Sequence, residues 1–521
     1  MPQIEGYAMK FIFNRREFLA TLISSLAWLS LPAFAQDNGV QRKKGNKGGG
    51  GRNRRGADDY MLPPELAAFS WLSLVLGRVT GKSVTVSAVA KENIEGFFEY
   101  GTTLGNYANK TELMKFPSGK PVEATFANLQ PSAQYFYRLQ FRKPGETNFT
   151  ARPEASFHTQ RAAGSTFTFA IQGDSHPERP QMSEPNLYAR TLLNAAKDKP
   201  DFYICMGDDF SVAPIREVSF DAIAERYTLQ RPFVGLVAQS APVFLLNGNH
   251  EQASLFNFNQ TDERHAVAVH AQNARNQFYP TPAPDSFYSG DTQSLAGIGL
   301  RKDYCEWTWG DALFVILDNY WHSPAQVDSG FREQDAGGGK GRNRDGWAMT
   351  LGDTQYQWFK RTLETSKAKY KFVFAHHVMG TGRGGVDQSD LFEWGGKNHR
   401  GDDEFKQRRP DWELPVHQLM VKHGVTIFFQ GHDHLYCQQQ RDGIIYQEVP
   451  MPADHGYQTY NEDRYQSGVK LPNSGHLRVT VSPENVKVEY VRSFLPKDET
   501  GQNKTGDIAH SYTVKPKSLH A

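Results

Sequence analysis

Phe202-Tyr203-Ile204-Cys205-Met206-Gly207-Asp208-Asp209 is an apolar run that stops at a carboxylate. Its length suits a buried strand, and the Gly-Asp ending delivers Asp208 into the crevice beyond the strand's carboxyl end. A Gly-Asp pair by itself marks an ordinary turn. Here the same pattern recurs. The run 166–172 ends in Gly173-Asp174-Ser175-His176, and Val243-Phe244-Leu245-Leu246 ends in Asn247-Gly248-Asn249-His250-Glu251. Phe372-Val373-Phe374-Ala375 ends in His376-His377, and Val425-Thr426-Ile427-Phe428-Phe429 leads into Gly431-His432-Asp433-His434. Five strands are thus expected to deliver metal-ligand residue types at one end.

Around these strands the pattern is α/β. Helical stretches are expected over 187–197, 353–367 and 414–423, the last two with Trp358, Leu363, Leu419 and Met420 at core positions of a 3.6-residue period. A hairpin is expected where 476–481 and 486–491 flank Ser482-Pro483-Glu484-Asn485. The stretches 252–311 and 379–412 are long for loops and are expected to fold over the site mouth. The glycine-rich stretch 337–346 reads as a surface insertion loop.

Upstream, from about residue 70 to 161, the period changes to two. Val84, Val86 and Ala88 alternate with polar residues, and so do Tyr135, Tyr137, Leu139 and Phe141. Short alternating runs between turn residues predict an antiparallel sandwich. Leu129-Gln130-Pro131-Ser132-Ala133-Gln134-Tyr135 resembles the Leu-x-Pro-x-Thr-x-Tyr signature of fibronectin type III-like domains, with Ala133 at the usual threonine. The expected architecture is an N-terminal antiparallel β-sandwich, fibronectin type III-like, over 65–161. An α/β domain with β-sheets sandwiched by helices follows over 165–495, and a C-terminal tail over 496–521.

The N-terminus reads as a targeting segment. Arg15-Arg16-Glu17-Phe18-Leu19 precedes a mostly apolar stretch that ends before the small-x-small site Ala33-Phe34-Ala35. The stretch is too short to span a bilayer comfortably, so 1–35 reads as a signal peptide. The paired arginines resemble a twin-arginine signal, which implies the twin-arginine export machinery as a partner and a periplasmic or secreted destination. No transmembrane anchor is expected after cleavage. Residues 36–64 are rich in glycine and basic residues and read as a flexible linker.

The 521 residues carry a net charge of +1, which gives no ground for expecting nucleic acid or an anionic membrane as partner. Three cysteines make no disulfide framework, and Cys205 reads as a core residue.

The donor set narrows the chemistry. Two cations about 3.5–4 Å apart need a shared anionic ligand. Carboxylates, an amide and imidazoles suit Fe, Zn or Mn better than a thiolate-seeking metal. The order Asp-x-His, Gly-Asp, Gly-Asn-His-Glu, His and Gly-His-x-His resembles the calcineurin-like metallophosphoesterase superfamily. With the preceding sandwich, the chain looks most like the purple acid phosphatases. The resemblance implies Asp208 as a bridging carboxylate, Asp174, His176 and His434 as ligands of one metal, and Asn249, His376 and His432 as ligands of the other. It implies that His250 contacts the phosphoryl group and assists the leaving group. A bound phosphate dianion and Glu251 are expected to raise the pKa of His250, and two cations to lower it. Val373-Phe374-Ala375-His376 fits the Val-x-x-His form, so His376 is the expected ligand and His377 its support.

The chain departs from the purple enzymes twice. Their tyrosine ligand, three residues after the bridging Asp, is here Ser211, and they lack the imidazole of His176. Arg383 is placed on a loop from which a guanidinium could reach a phosphate oxygen. The implied activity is a metal-dependent phosphoric ester hydrolase: an acid phosphatase-like phosphomonoesterase acting on a phosphorylated small molecule by in-line attack of a metal-bridging hydroxide. Alternatives are a phosphodiesterase or nucleotide hydrolase on the same site, and a surface binding protein without activity. The sequence sets no oligomeric state.

Overall fold

The computed structural model describes residues 64–212, 214–259, 265–327, 345–378 and 383–517. The expected signal at 1–35, nearly all of the linker at 36–64, most of the glycine-rich stretch at 337–346 and residues 379–382 lie outside the described residues. Among the described residues no helix is long and apolar enough to cross a membrane.

The period-two region folds as two antiparallel sheets. Leu72–Gly77, Val84–Ala90 and Val122–Phe126 form one. Ile94–Gly101 and Gln134–Arg142 form the centre of the other, with short strands at its edges. Alternate residues point inward, so Phe98, Phe126 and Tyr137 meet in the middle, with Phe98 and Phe126 edge to face at 5.6 Å. Tyr135 of the fibronectin-like signature accepts the N–H of Gln130 on its hydroxyl at 2.8 Å. At the position where the signature has threonine, the N–H of Ala133 instead donates to the Thr159 hydroxyl, at 2.9 Å.

The five strands that end in Asp, Asn or His divide between two further sheets. Phe167–Gln172, Tyr203–Cys205 and Val243–Leu245 run parallel in a six-stranded sheet. Tyr370–Phe374 and Ile427–Gln430 run parallel in an eight-stranded one. The sheets face each other through aromatic side chains: Phe169 packs on Phe314 at 5.1 Å, and Phe244 stacks on Trp307 at 3.9 Å. Although these strands are buried on both faces, they still alternate. Phe169 and Phe202 point between the sheets, while Ala170, Tyr203 and Cys205 meet the Pro185–Lys197 and Phe220–Ala238 helices. Gly352–Thr365 and Val416–Lys422 cover the other outer face. The domain therefore has four layers, with helices outside two central sheets.

The expected hairpin is the antiparallel pair Gly475–Val481 and Val486–Arg492. The expected C-terminal tail is a correction: Ile508–Val514 adds the edge strand of the six-stranded sheet, with Tyr512 and Val514 packed on the core. Its alternating Ile-Ala-His-Ser-Tyr-Thr-Val is a half-exposed strand pattern. The stretch 252–311 is a second correction, because it contains the His265–Phe278 helix and the Cys305–Trp309 strand. That helix buries Ala268, Ala271, Ala274 and Phe278, a helical spacing carried mostly by side chains of little hydrophobic weight. The described part of 379–412 likewise belongs mainly to the outer layer, burying Phe392, Trp394, Phe405 and Trp412.

The sandwich docks on the outer helices through Arg231, which is buried. Its guanidinium donates to Ser73 Oγ at 2.8 Å, to the Ser87 carbonyl at 2.5 Å and to the Phe278 carbonyl. Tyr137 donates its hydroxyl proton to the Gln239 carbonyl at 2.6 Å.

Candidate metal centre

The strand ends converge on one buried cluster. Turning sharply at three of the strand ends forces unusual backbone. Gly207, Asp208, His176, His432 and His434 all have positive φ, which costs energy for every one except the glycine. A Cβ at Gly207 would stand 2.7 Å from the N–H nitrogen of Gly248, so only glycine lets the Asp208 turn abut the Asn249 turn.

Three groups of side chains place their donor atoms within 4.8 Å of one another: Asp174 with His176 and His434; Asp208 with His376 and His432; and His176 with Asp208 and His250. The His434 Nε2 lies 2.8 Å from Asp174 Oδ2, and His376 Nε2 lies 3.3 Å from Asp208 Oδ2. His176 Nε2 approaches the same Asp208 oxygen at 3.9 Å. Asp208 is thus common to both sides of the cluster.

The donors fit cations. Among the described residues His176 Nε2 and Asn249 Oδ1 are buried with no hydrogen-bond partner, a state that costs about 1–3 kcal/mol per group unless something else engages them. The outward nitrogens are already fixed. His376 Nδ1 meets the Met206 carbonyl at 2.8 Å, and His176 Nδ1 faces the Glu178 carboxylate at 3.4 Å. Such a contact sets the tautomer that leaves Nε2 free to bind metal. Burial opposes charge on His376, yet Asp208 and Asp174 hold its proton up to about 10. A bound cation would take that proton's place. The nitrogen and oxygen donors suit Fe, Zn or Mn, and all three cysteines are buried free thiols outside these groups.

A model of the calcineurin-like phosphoesterase family matches residues 167–436, the stretch that carries all these strand ends. The chain belongs to the calcineurin-like phosphoesterase family. With its Asp and His clusters it is a metal-dependent phosphoric ester hydrolase. Among solved structures the chain is similar to PhoD, at 14% identity and a TM-score of 0.57, with 86% of this chain and 90% of that one covered. It is also similar to the purple acid phosphatase PPD1 from yellow lupin (Lupinus luteus) seeds, at 17% identity and a TM-score of 0.52, with 85% and 74% covered. At such identities the likeness is one of fold, and its extent takes in the sandwich. No curated protein matches the chain.

The phosphoesterase cluster differs from the expected picture at its rim. Arg383 is tied down: it donates to the His432 carbonyl and lies 3.1 Å from Asp433 Oδ1, because that buried carboxylate needs partners. The guanidinium beside His250 is that of Arg179, whose Nη2 stands 3.1 Å from His250 Nδ1 and also donates to Ser211 Oγ. Glu251 does not orient His250. It accepts the N–H groups of Gly248, Asp208 and Asp209. Burial lowers the His250 pKa to about 4, against the pull of Asp208 and with help from His176 and Arg179, so the ring is neutral near pH 7. His377 meets the Val378 carbonyl through Nδ1 and keeps a buried Nε2 that has no partner among the described residues, with its ring 4.8 Å from that of His432. Sequence reasoning missed Glu178, Arg179 and the Glu251 clip. An acidic residue two positions after His176 was the available signal for the first.

Proposed function

We propose that this protein is an exported phosphatase that holds two metal ions and hydrolyses phosphate monoesters. The observation that carries the reading is the cluster in which Asp208 belongs to two of the three donor groups, with His176 Nε2 buried in it and unpartnered among the described residues. Asp174, His176 and His434 would hold one cation, and Asn249, His376 and His432 the other, with Asp208 between them. Bound there, the cations would polarise a phosphoryl group and activate a water for in-line attack. The chain's own part is to fix the donors and to set His250 at the open side of the cluster, where it meets the phosphoryl group and the leaving oxygen. Export rests on Arg15-Arg16 and the apolar stretch that follows them.

The test is elemental analysis of the purified protein beside turnover of an alkyl monoester, an aryl monoester, a diester and a nucleotide. Two equivalents of Fe, Zn or Mn with monoesters preferred is the expected result. Preference for the diester would make it a phosphodiesterase. Failure on all four with both metals bound would favour a binding protein. Replacing Arg15 and Arg16 by Lys should abolish periplasmic activity, and unchanged activity there would mean another export route.

A further inference from the structure

Arg179 is not among the metal-ligand residues, yet it is built into the site. Its N–H donates to the His176 carbonyl at 2.9 Å, and its own carbonyl accepts from Met182 at 3.1 Å and Ser183 at 2.9 Å. The backbone is therefore pinned directly after the His176 turn. From there the side chain brings Nη2 to 3.1 Å from His250 Nδ1 and 3.3 Å from Nε2. Nε lies 3.5 Å from Glu178, which keeps the guanidinium's stem in place. Among the described residues Nη1 has only the Met182 sulfur, a weak acceptor, at 4.0 Å. Both Arg179 and His250 leave 22% of their side chains open to solvent, whereas the ligand cluster is buried. Ser211 makes the space: its small side chain receives Arg179 Nη2 and stands 3.4 Å from His176 Nδ1.

The geometry points to Arg179 as a substrate-binding residue that, with His250, receives the non-bridging oxygens of a phosphate monoester dianion bound over Asp208. This rests on the phosphatase reading above and narrows its substrate class. His250 Nε2 is 3.9 Å from Asp208 Oδ2, so an anion seated across Asp208 comes against His250 and within reach of the guanidinium behind it. A planar fork with donors to spare matches the oxygens of an oxyanion. A monoester keeps a third free oxygen for that fork. In a diester that oxygen carries a carbon, and the fork loses its acceptor.

The experiment titrates inorganic phosphate calorimetrically into metal-loaded wild type, Arg179→Met and Arg179→Lys, with metal content measured for each. Arg179→Met should bind phosphate roughly 10- to 100-fold more weakly with both metals retained. Arg179→Lys should fall between, because it keeps the charge without the fork. In turnover, Arg179→Met should lose more kcat/KM on the monoester than on the diester. Unchanged phosphate affinity in Arg179→Met overturns the proposal. So does loss of metal, which would make Arg179 a support for His176. If wild type hydrolyses neither ester, the phosphatase reading fails and the phosphate titration still decides Arg179. No phosphate binding by wild type overturns both.

Discussion

The Glu251 carboxylate accepts the backbone N–H of Asp208 at 3.1 Å. It also accepts Asp209 and Gly248, each at 2.7 Å. One buried side chain therefore clips the turn carrying Asp208 to the turn carrying Asn249 and His250. Glu251→Gln keeps the size but gives up one acceptor oxygen and sets an amide N–H₂ against a backbone donor. Stability should fall by about 1–3 kcal/mol, with reduced metal occupancy. Denaturant unfolding and elemental analysis check this, and wild-type values in both would show the clip to be dispensable.

Asp208→Ala removes the carboxylate shared by both sides of the cluster. The protein should lose at least one metal, with affinity down more than about 100-fold, since even supporting residues cost about 10–100-fold. Turnover should all but vanish. Full metal content with a normal rate would remove Asp208 from the bridging position.

Ser211 offers no phenolate, so the iron-loaded protein should lack an intense visible band. The informative exception is Tyr320, whose hydroxyl is buried without a partner among the described residues and whose ring is 6.3 Å from that of His376. A strong band lost in Tyr320→Phe would place that phenolate on iron.

Arg231→Met should loosen the sandwich from the helices it docks on. It leaves Ser73 Oγ and the Ser87 and Phe278 carbonyls without their donor. A loss of about 2–4 kcal/mol is expected, with the folded protein retaining its metals. An unaltered melting temperature would mean that the interface does not depend on Arg231.

His250 gives the pH prediction. Its pKa is lowered to about 4, chiefly by burial, so the free protein has a neutral ring above that pH. Plots of kcat/KM report free-enzyme groups and should show no His250 step between about pH 5.5 and 8. A step near 6.5 that disappears in His250→Ala would contradict this. If the bound phosphate dianion supplies the proton affinity, His250→Ala should keep both metals. It should then lower kcat more for alkyl than for aryl monoesters, by about 10²–10⁴ for the alkyl case. Equal losses would assign His250 to phosphate binding only.

The sequence by itself determined the strand ends and the residue types that stand at them. Each apolar run stops at its Asp, Asn or His, and that signal is local, so the places of Asp174, His176, Asp208, Asn249, His376, His432 and His434 at the strand ends were legible before any fold was known. The sandwich was legible for the same reason, through the two-residue period of Gln134–Arg142. What is not local was not legible. Phe220–Ala238 packs against the Leu72–Gly77 strand and the Pro185–Lys197 and His265–Phe278 helices, so its sequence carries no single apolar stripe. Ile508–Val514 gains its place only by pairing with Val486–Arg492. Tertiary structure alone decided the rim of the site. Arg179 and Arg383 are both arginines near ligand histidines in the chain, and residue type cannot separate them. Their partners do: Asp433 holds one guanidinium, and His250 and Ser211 meet the other, and these partners are neighbours in space rather than in sequence.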